Sequence, residues 1–177
     1  MVPIVVKEVD IPANVTVTVK DSTVSVEGPK GKLERTLYHP KVAITMQEGM
    51  VTVKCEFARG KEQALVGTFA SHITNMIKGV TAGFTCQMKI VFSHFPMKVS
   101  VKGNEFIIEN FLGEKFPRKA KLLEDVKVTA KGEIVTVEGI NIEHVGQTAA
   151  NIERATRVRY RDIRVFQDGI YITQKGA

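Results

Sequence analysis

Val145-Gly146-Gln147-Thr148-Ala149-Ala150-Asn151-Ile152 has a counterpart 79 residues upstream, Val66-Gly67-Thr68-Phe69-Ala70-Ser71-His72-Ile73. Working outward from this pair, Val99-Ser100-Val101-Lys102 answers Val17-Thr18-Val19-Lys20 at an offset of 82 residues, with Gly103-Asn104 standing where Asp21-Ser22 stands. Val126-Lys127-Val128-Thr129 and the run Gly132 to Val137 answer Val42-Ala43-Ile44-Thr45 and the run Glu48 to Val53, at an offset of 84. Order is kept and spacing nearly so, which predicts two tandem copies of one unit: an internal duplication, residues 1–82 and 83–177.

Periodicity gives each unit its design. Apolar residues alternate through Val15, Val17, Val19 and again through Val24 and Val26, the pattern of strands with one buried face. Asp21-Ser22, Glu48-Gly49 and Gly103-Asn104 read as turns. A strand is also expected over Leu33 to Leu37, and Met88 to Phe92 should pair as a strand. From Lys61 to Lys78 the period lengthens, placing Leu65, Phe69, Ile73, Met76 and Ile77 on one helical face, with Gly79 as the expected stop. In the second copy Ile142, Val145, Ala149 and Ile152 form the stripe, with Asn141 as N-cap and His144 in the first turn. The fold class is therefore α+β, each unit a small antiparallel sheet packed by one helix. Gly67, Ala70, Gly146, Ala149 and Ala150 are expected to let helix and sheet approach closely. The domain boundary is expected near Val80 to Phe84.

Charge is the second signal. The chain of 177 residues carries a net charge of +6, which favours an anionic partner through steering and counterion release. Five of the eight arginines, Arg154, Arg157, Arg159, Arg161 and Arg164, fall within one window of eleven residues, with Tyr160 among them, so the charge is local. A planar guanidinium grips phosphate with two prongs and stacks on bases, so this window reads as an RNA-gripping surface against the bland alternative of a solvated polar turn. A second basic stretch, Asn110 to Lys121, adds Lys115, Arg118, Lys119 and Lys121 as phosphate contacts, while Phe111 and Phe116 read as core residues beneath it.

Other chemistry finds little support. Gly28-Pro29-Lys30-Gly31 resembles a phosphate cradle, but it lacks the Gly-Lys-Ser/Thr ending and following helix of a nucleotide loop. His39, His72, His94 and His144 show no metal-ligand spacing, and Ser71-His72 or Glu124-Asp125 gives adjacency without geometry. No catalytic residue, metal, cofactor or small-molecule substrate is expected. Cys55 and Cys86 read as buried thiols of a reduced cytosolic protein, without signal peptide or membrane span.

Several runs carry a family resemblance over essentially the whole chain. Gly28-Pro29-Lys30-Gly31, Asn75 to Thr81, Ser93-His94-Phe95-Pro96, Phe111-Leu112-Gly113-Glu114-Lys115, Val145 to Ala150 and Val165 to Tyr171 resemble the large-subunit ribosomal protein family numbered six in bacteria and archaea and nine in eukaryotes. The ending Arg164 to Tyr171 resembles the archaeal and eukaryotic branch and departs from the bacterial one. The resemblance implies a cytoplasmic structural constituent of the large ribosomal subunit, not an enzyme. It implies binding to large-subunit rRNA near the sarcin–ricin region and the base of the factor-recruiting stalk, mainly through the second domain and beside neighbouring ribosomal proteins. The rRNA-binding residues expected are Arg154, Arg157, Arg159, Tyr160, Arg161 and Arg164, with Lys115, Arg118 and Lys119 beside them and Lys30 and Lys32 as weaker contacts. The alternative is a protein-interaction module with an incidental basic surface.

Overall fold

The computed structural model describes residues 4–47 and 49–176, and divides the chain into two compact units, Met1–Gly83 and Phe84–Ala177. Glu48 of the expected Glu48-Gly49 turn lies outside the described residues.

The first unit runs β1 (Val5–Asp10), β2 (Thr16–Lys20), β3 (Thr23–Gly28), β4 (Gly31–Thr36), β5 (Val42–Gln47), β6 (Met50–Cys55) and α1 (Gly60–Thr81). Its strands divide between two antiparallel sheets, ordered β1-β6-β5 and β2-β3-β4. β1 carries no clean alternation and was not legible in the sequence; Val9 is its one buried residue. Helix α1 covers the apolar faces: Val66, Phe69, Ile73, Met76, Ile77 and Val80 are buried against Val17, Val24, Val26, Val51 and Val53.

Gly79 does not stop the helix. Val80 continues the stripe and is fully buried, so Gly79 sits inside the helix, and its cost of about 1 kcal/mol relative to Ala is outweighed by that burial. The stop comes at Gly83, whose φ of +75° is left-handed and whose N–H donates to the Lys78 carbonyl at 3.1 Å.

The second unit repeats the plan with additions: β7 (Phe84–Val91), β8 (Lys98–Lys102), β9 (Glu105–Glu109), a tight turn at Phe111–Gly113, β10 (Arg118–Lys121), β11 (Val126–Lys131), β12 (Ile134–Gly139), α2 (Ile142–Ala155) and β13 (Gly169–Gln174). One sheet has the order β11-β12-β7-β13 and the other β10-β9-β8. β7 is longer than expected: Phe84, Cys86, Met88 and Ile90 alternate inward, and the strand is central, pairing with both β12 and β13. Helix α2 begins at Asn141, whose side chain accepts the Glu143 N–H at 3.0 Å, and buries Val145, Ala149 and Ile152.

Close helix–sheet approach depends on glycines other than those expected. Ala70 and Ala149 are buried, but Gly146 faces open space. The tight contacts are strand ends: a Cβ on Gly28 would lie 2.7 Å from Val80 Cγ2, and one on Gly139 would lie 2.9 Å from Val145 Cγ2 and 3.0 Å from the Asp125 carbonyl. At both points the strand backbone runs against a helix valine too closely for a Cβ, so glycine stands on the strand. Gly28→Ala is expected to lower the stability of the first unit by about 1–3 kcal/mol, read from urea unfolding; an unchanged midpoint would show that Val80 yields freely.

Candidate nucleic-acid interface

Helix α2 ends where its apolar stripe ends. After Ile152 the sequence offers Glu153, Arg154 and Ala155, then the buried Thr156, whose hydroxyl donates to the Glu153 carbonyl at 3.1 Å and accepts the Ile170 N–H at 3.0 Å. Residues 157–168 then form a loop between α2 and β13. Arg157, Arg159, Arg161 and Arg164 therefore lie on one irregular segment, and Arg154 in the last turn of the helix beside it.

The near end of the loop is held by Arg118. Its Nε and Nη2 donate to the two Glu114 carboxylate oxygens at 2.8 and 2.6 Å, and Nη1 donates to the carbonyls of Ala155 and Arg157 at 2.8 and 2.9 Å. The guanidinium also lies 4.3 Å over the Phe111 ring. The Ala155 carbonyl is one that a helix end leaves without an intrahelical partner, met here by a cation that the helix dipole favours, and the Arg157 carbonyl is the first of the loop beyond it. The hydrogen bonds from Arg118 hold the Glu114 carboxyl below its ordinary value, against the opposing effect of partial burial, and Arg161 adds attraction.

The far end is held by Asp168, which is buried. Its carboxylate accepts from the Ser93 N–H and hydroxyl at 3.1 and 3.0 Å, from the His94 N–H at 3.4 Å, and pairs with His94 Nδ1 at 3.2 Å. Burial pushes this carboxyl up, but the bonds from the His94 ring, the Ser93 hydroxyl and the two backbone N–H groups together leave it below its ordinary value. Phe166 stacks on the His94 ring, centroids 4.6 Å apart, and the Arg161 guanidinium lies 4.7 Å over Phe166. Ser93, His94 and Asp168 superficially suggest a catalytic triad, but the serine and the carboxylate meet the same ring nitrogen, so no relay exists. Among the described residues no cluster of three or more metal-ligating side chains occurs, and no helix is long and apolar enough to cross a membrane.

A third loop joins this end. Asn110, Leu112 and Gly113 all have positive φ, and Asn110 Nδ2 donates to the Pro96 carbonyl at 3.0 Å, while the Phe95 ring lies 3.4 Å from where a Gly113 Cβ would stand. Phe111 is buried as expected, but Phe116 is 85% exposed. It falls between Glu114 and Pro117 in a segment without strand or helix, so no element presents it to the core.

The expected site residues thus differ in their freedom. No side-chain hydrogen bond or ion pair holds Arg154, Arg157, Arg159 or Lys115 among the described residues. Arg164 is largely exposed although it pairs with Asp162. Arg118 spends its donors inside the chain, and Lys119 on β10 pairs with Glu105 at 2.8 Å. Lys30 and Lys32 belong to the first unit: the Lys30 amine meets the Ala82 carbonyl at the end of α1, and Lys32 pairs with Glu34 at 2.7 Å. Asp168, Ser93, His94 and Phe166 were not marked by charge or spacing, since the aspartate lies 75 residues from the serine it binds.

Comparison with known proteins meets this geometry. The family model described as Ribosomal protein L6 matches the chain twice, over residues 11–83 and 95–169, one match in each unit. The chain belongs to the ribosomal protein L6 family. A large ribosomal subunit protein uL6 from Methanosarcina mazei is 50% identical over 175 residues, covering 99% of both chains. The L6 family is a structural, non-enzymatic component of the large ribosomal subunit in the cytoplasm. The duplication read from the sequence is the duplication that the family model meets.

Two outcomes test the anchors of the L6-family loop. Arg118→Lys is expected to destabilise the second unit by about 2 kcal/mol in urea unfolding, because an ammonium cannot reproduce the forked contacts. Asp168 and Glu114 have depressed folded values, so their contribution is present above the ordinary carboxylate range near pH 4 and is lost as pH falls through the folded values. Protection of the Ser93 and His94 amides from hydrogen exchange, taken relative to the intrinsic rate at each pH, should fall in that acid window, and Asp168→Asn should shrink the pH dependence while lowering stability at neutral pH.

Proposed function

We propose that the second unit, residues 83–177, is the main large-subunit rRNA-binding domain, gripping phosphates through Arg154, Arg157, Arg159, Arg161 and Arg164 with Lys115 beside them. The observation that carries this reading is a loop of exposed guanidinium groups whose two ends are fixed by buried or multiply bonded anchors. Fixed ends keep the entropy lost on binding small, so the charge clustered on this segment can neutralise phosphates with little reordering of the chain. Arg118 acts by positioning the loop, and Arg161 lies over Phe166 while remaining exposed to solvent. Lys119, Lys30 and Lys32 have intramolecular partners to give up and are weaker contacts. On this reading the surface faces the sarcin–ricin region and the base of the factor-recruiting stalk, beside neighbouring ribosomal proteins, an expectation that the family resemblance supports.

Ile163 and Val165 are 69% and 60% exposed on the same loop, which favours a protein neighbour as the second reading. Salt separates the two. Replacing Arg157, Arg159 and Arg161 by Ala should weaken binding to isolated large-subunit rRNA at least tenfold, roughly, and lower the slope of log affinity against log salt by about 2–3. An unchanged slope in filter binding across a salt series would sink the arginine placement.

A further inference from the structure

Two aromatic rings on this end of the second unit do nothing for its fold. Tyr160 is fully exposed, at 103%, and its backbone has a φ of +60°, a region that a non-glycine residue enters at a cost of about 1 kcal/mol or more. Phe116 is 85% exposed and forgoes the burial that a phenylalanine ordinarily gains. Each ring is bracketed by cations: Arg159 and Arg161 flank Tyr160, and Lys115 and Arg118 lie either side of Phe116 and Pro117. The two loops are stapled together, because Arg118 binds both Glu114 on one and the Arg157 carbonyl on the other, and Glu114 is also close enough to feel Arg161.

We infer that Tyr160 and Phe116 form a two-ring clamp for unpaired bases, so that the RNA this unit takes is a looped or bulged segment and not a regular duplex. The inference rests on the rRNA reading above and narrows its partner. In an A-form duplex the base faces are stacked on one another and the major groove is too narrow for a side chain, so a solvent-facing ring has nothing to stack on. Unpaired bases offer free faces, and a ring between cations holds base and phosphate together. The Tyr160 ring stands in solvent on a left-handed backbone, and the bonds at Arg118 and Asp168 fix the two ends of its loop.

The test uses the full-length protein with three probes: a fully paired RNA hairpin, the same hairpin carrying a short single-stranded bulge, and heparin as a polyanion without bases. Wild type is expected to bind the bulged hairpin more tightly than the paired one. Tyr160→Ala and Phe116→Ala should each weaken the bulged hairpin by between about fivefold and about one-hundredfold. The salt slope should not change, and heparin and the paired hairpin should be unaffected. Tyr160→Phe should retain binding, and thermal melting should match wild type because both rings are exposed. Equal binding of the two hairpins, alanine variants that change nothing, or alanine variants that weaken all three probes alike would each overturn the clamp. The arginine triple variant runs alongside on isolated rRNA. If it loses binding while the ring variants are neutral, only the clamp fails, and if it too is neutral the rRNA reading fails with it.

Discussion

A single guanidinium, that of Arg118, joins the parts on which the second unit's functional end depends. It makes four hydrogen bonds, two to Glu114 and one each to the carbonyls of Ala155 and Arg157, while lying over Phe111. An ammonium could not do this, since the contacts need donors fixed in one plane and pointing in several directions. Through it, strand β10, the turn before it and the exit of helix α2 become one rigid corner, and the arginine loop leaves that corner in a defined direction.

The opposite anchor uses different physics. Asp168 is taken out of water, and its charge is tolerated because four donors from Ser93 and His94 converge on it. His94 then supports Phe166, and Phe166 supports Arg161, so a buried carboxylate sets the position of an exposed cation through two stacked rings. The loop between the anchors has no helix or strand, and its internal bonds gather at Asp162, which meets the Arg164 side chain and whose carbonyl accepts from the Val165 and Phe166 N–H groups. Its ends are fixed from outside, and the Arg157 and Arg159 guanidinium groups are left free to meet a ligand.

The duplicated design explains why the two units differ in charge display. Both bury one helix against short antiparallel strands, and both place a glycine where a strand end passes under the helix side. In the first unit the helix end is closed locally: Gly83 turns the chain, and the Lys30 amine meets the Ala82 carbonyl. In the second, the chain continues from the helix into the arginine loop and returns as β13 to pair with β7. That return strand closes the loop into a feature of the fold and places Asp168 beside Ser93.

Much of this was written in local pattern. Alternating valines, the helical stripes ending in Ile77 and Ile152, the Asn141 cap and the repeat of Val66–Ile73 in Val145–Ile152 gave the duplication and the α+β class, because burial on one face forces a period that the sequence must carry. The arginine window was equally plain, since charge excess needs no structure to be counted. The tertiary structure decided what local pattern cannot encode: that Gly79 lies inside a helix while Gly83 ends it, that Gly28 and Gly139, not Gly146, permit close packing, and that Phe116 faces water. It also decided which basic residues build and which remain free, separating Arg118 from Arg157 and Arg159. The reason is distance along the chain: Arg118 meets its carbonyls, and Asp168 its serine, across separations that no period spans.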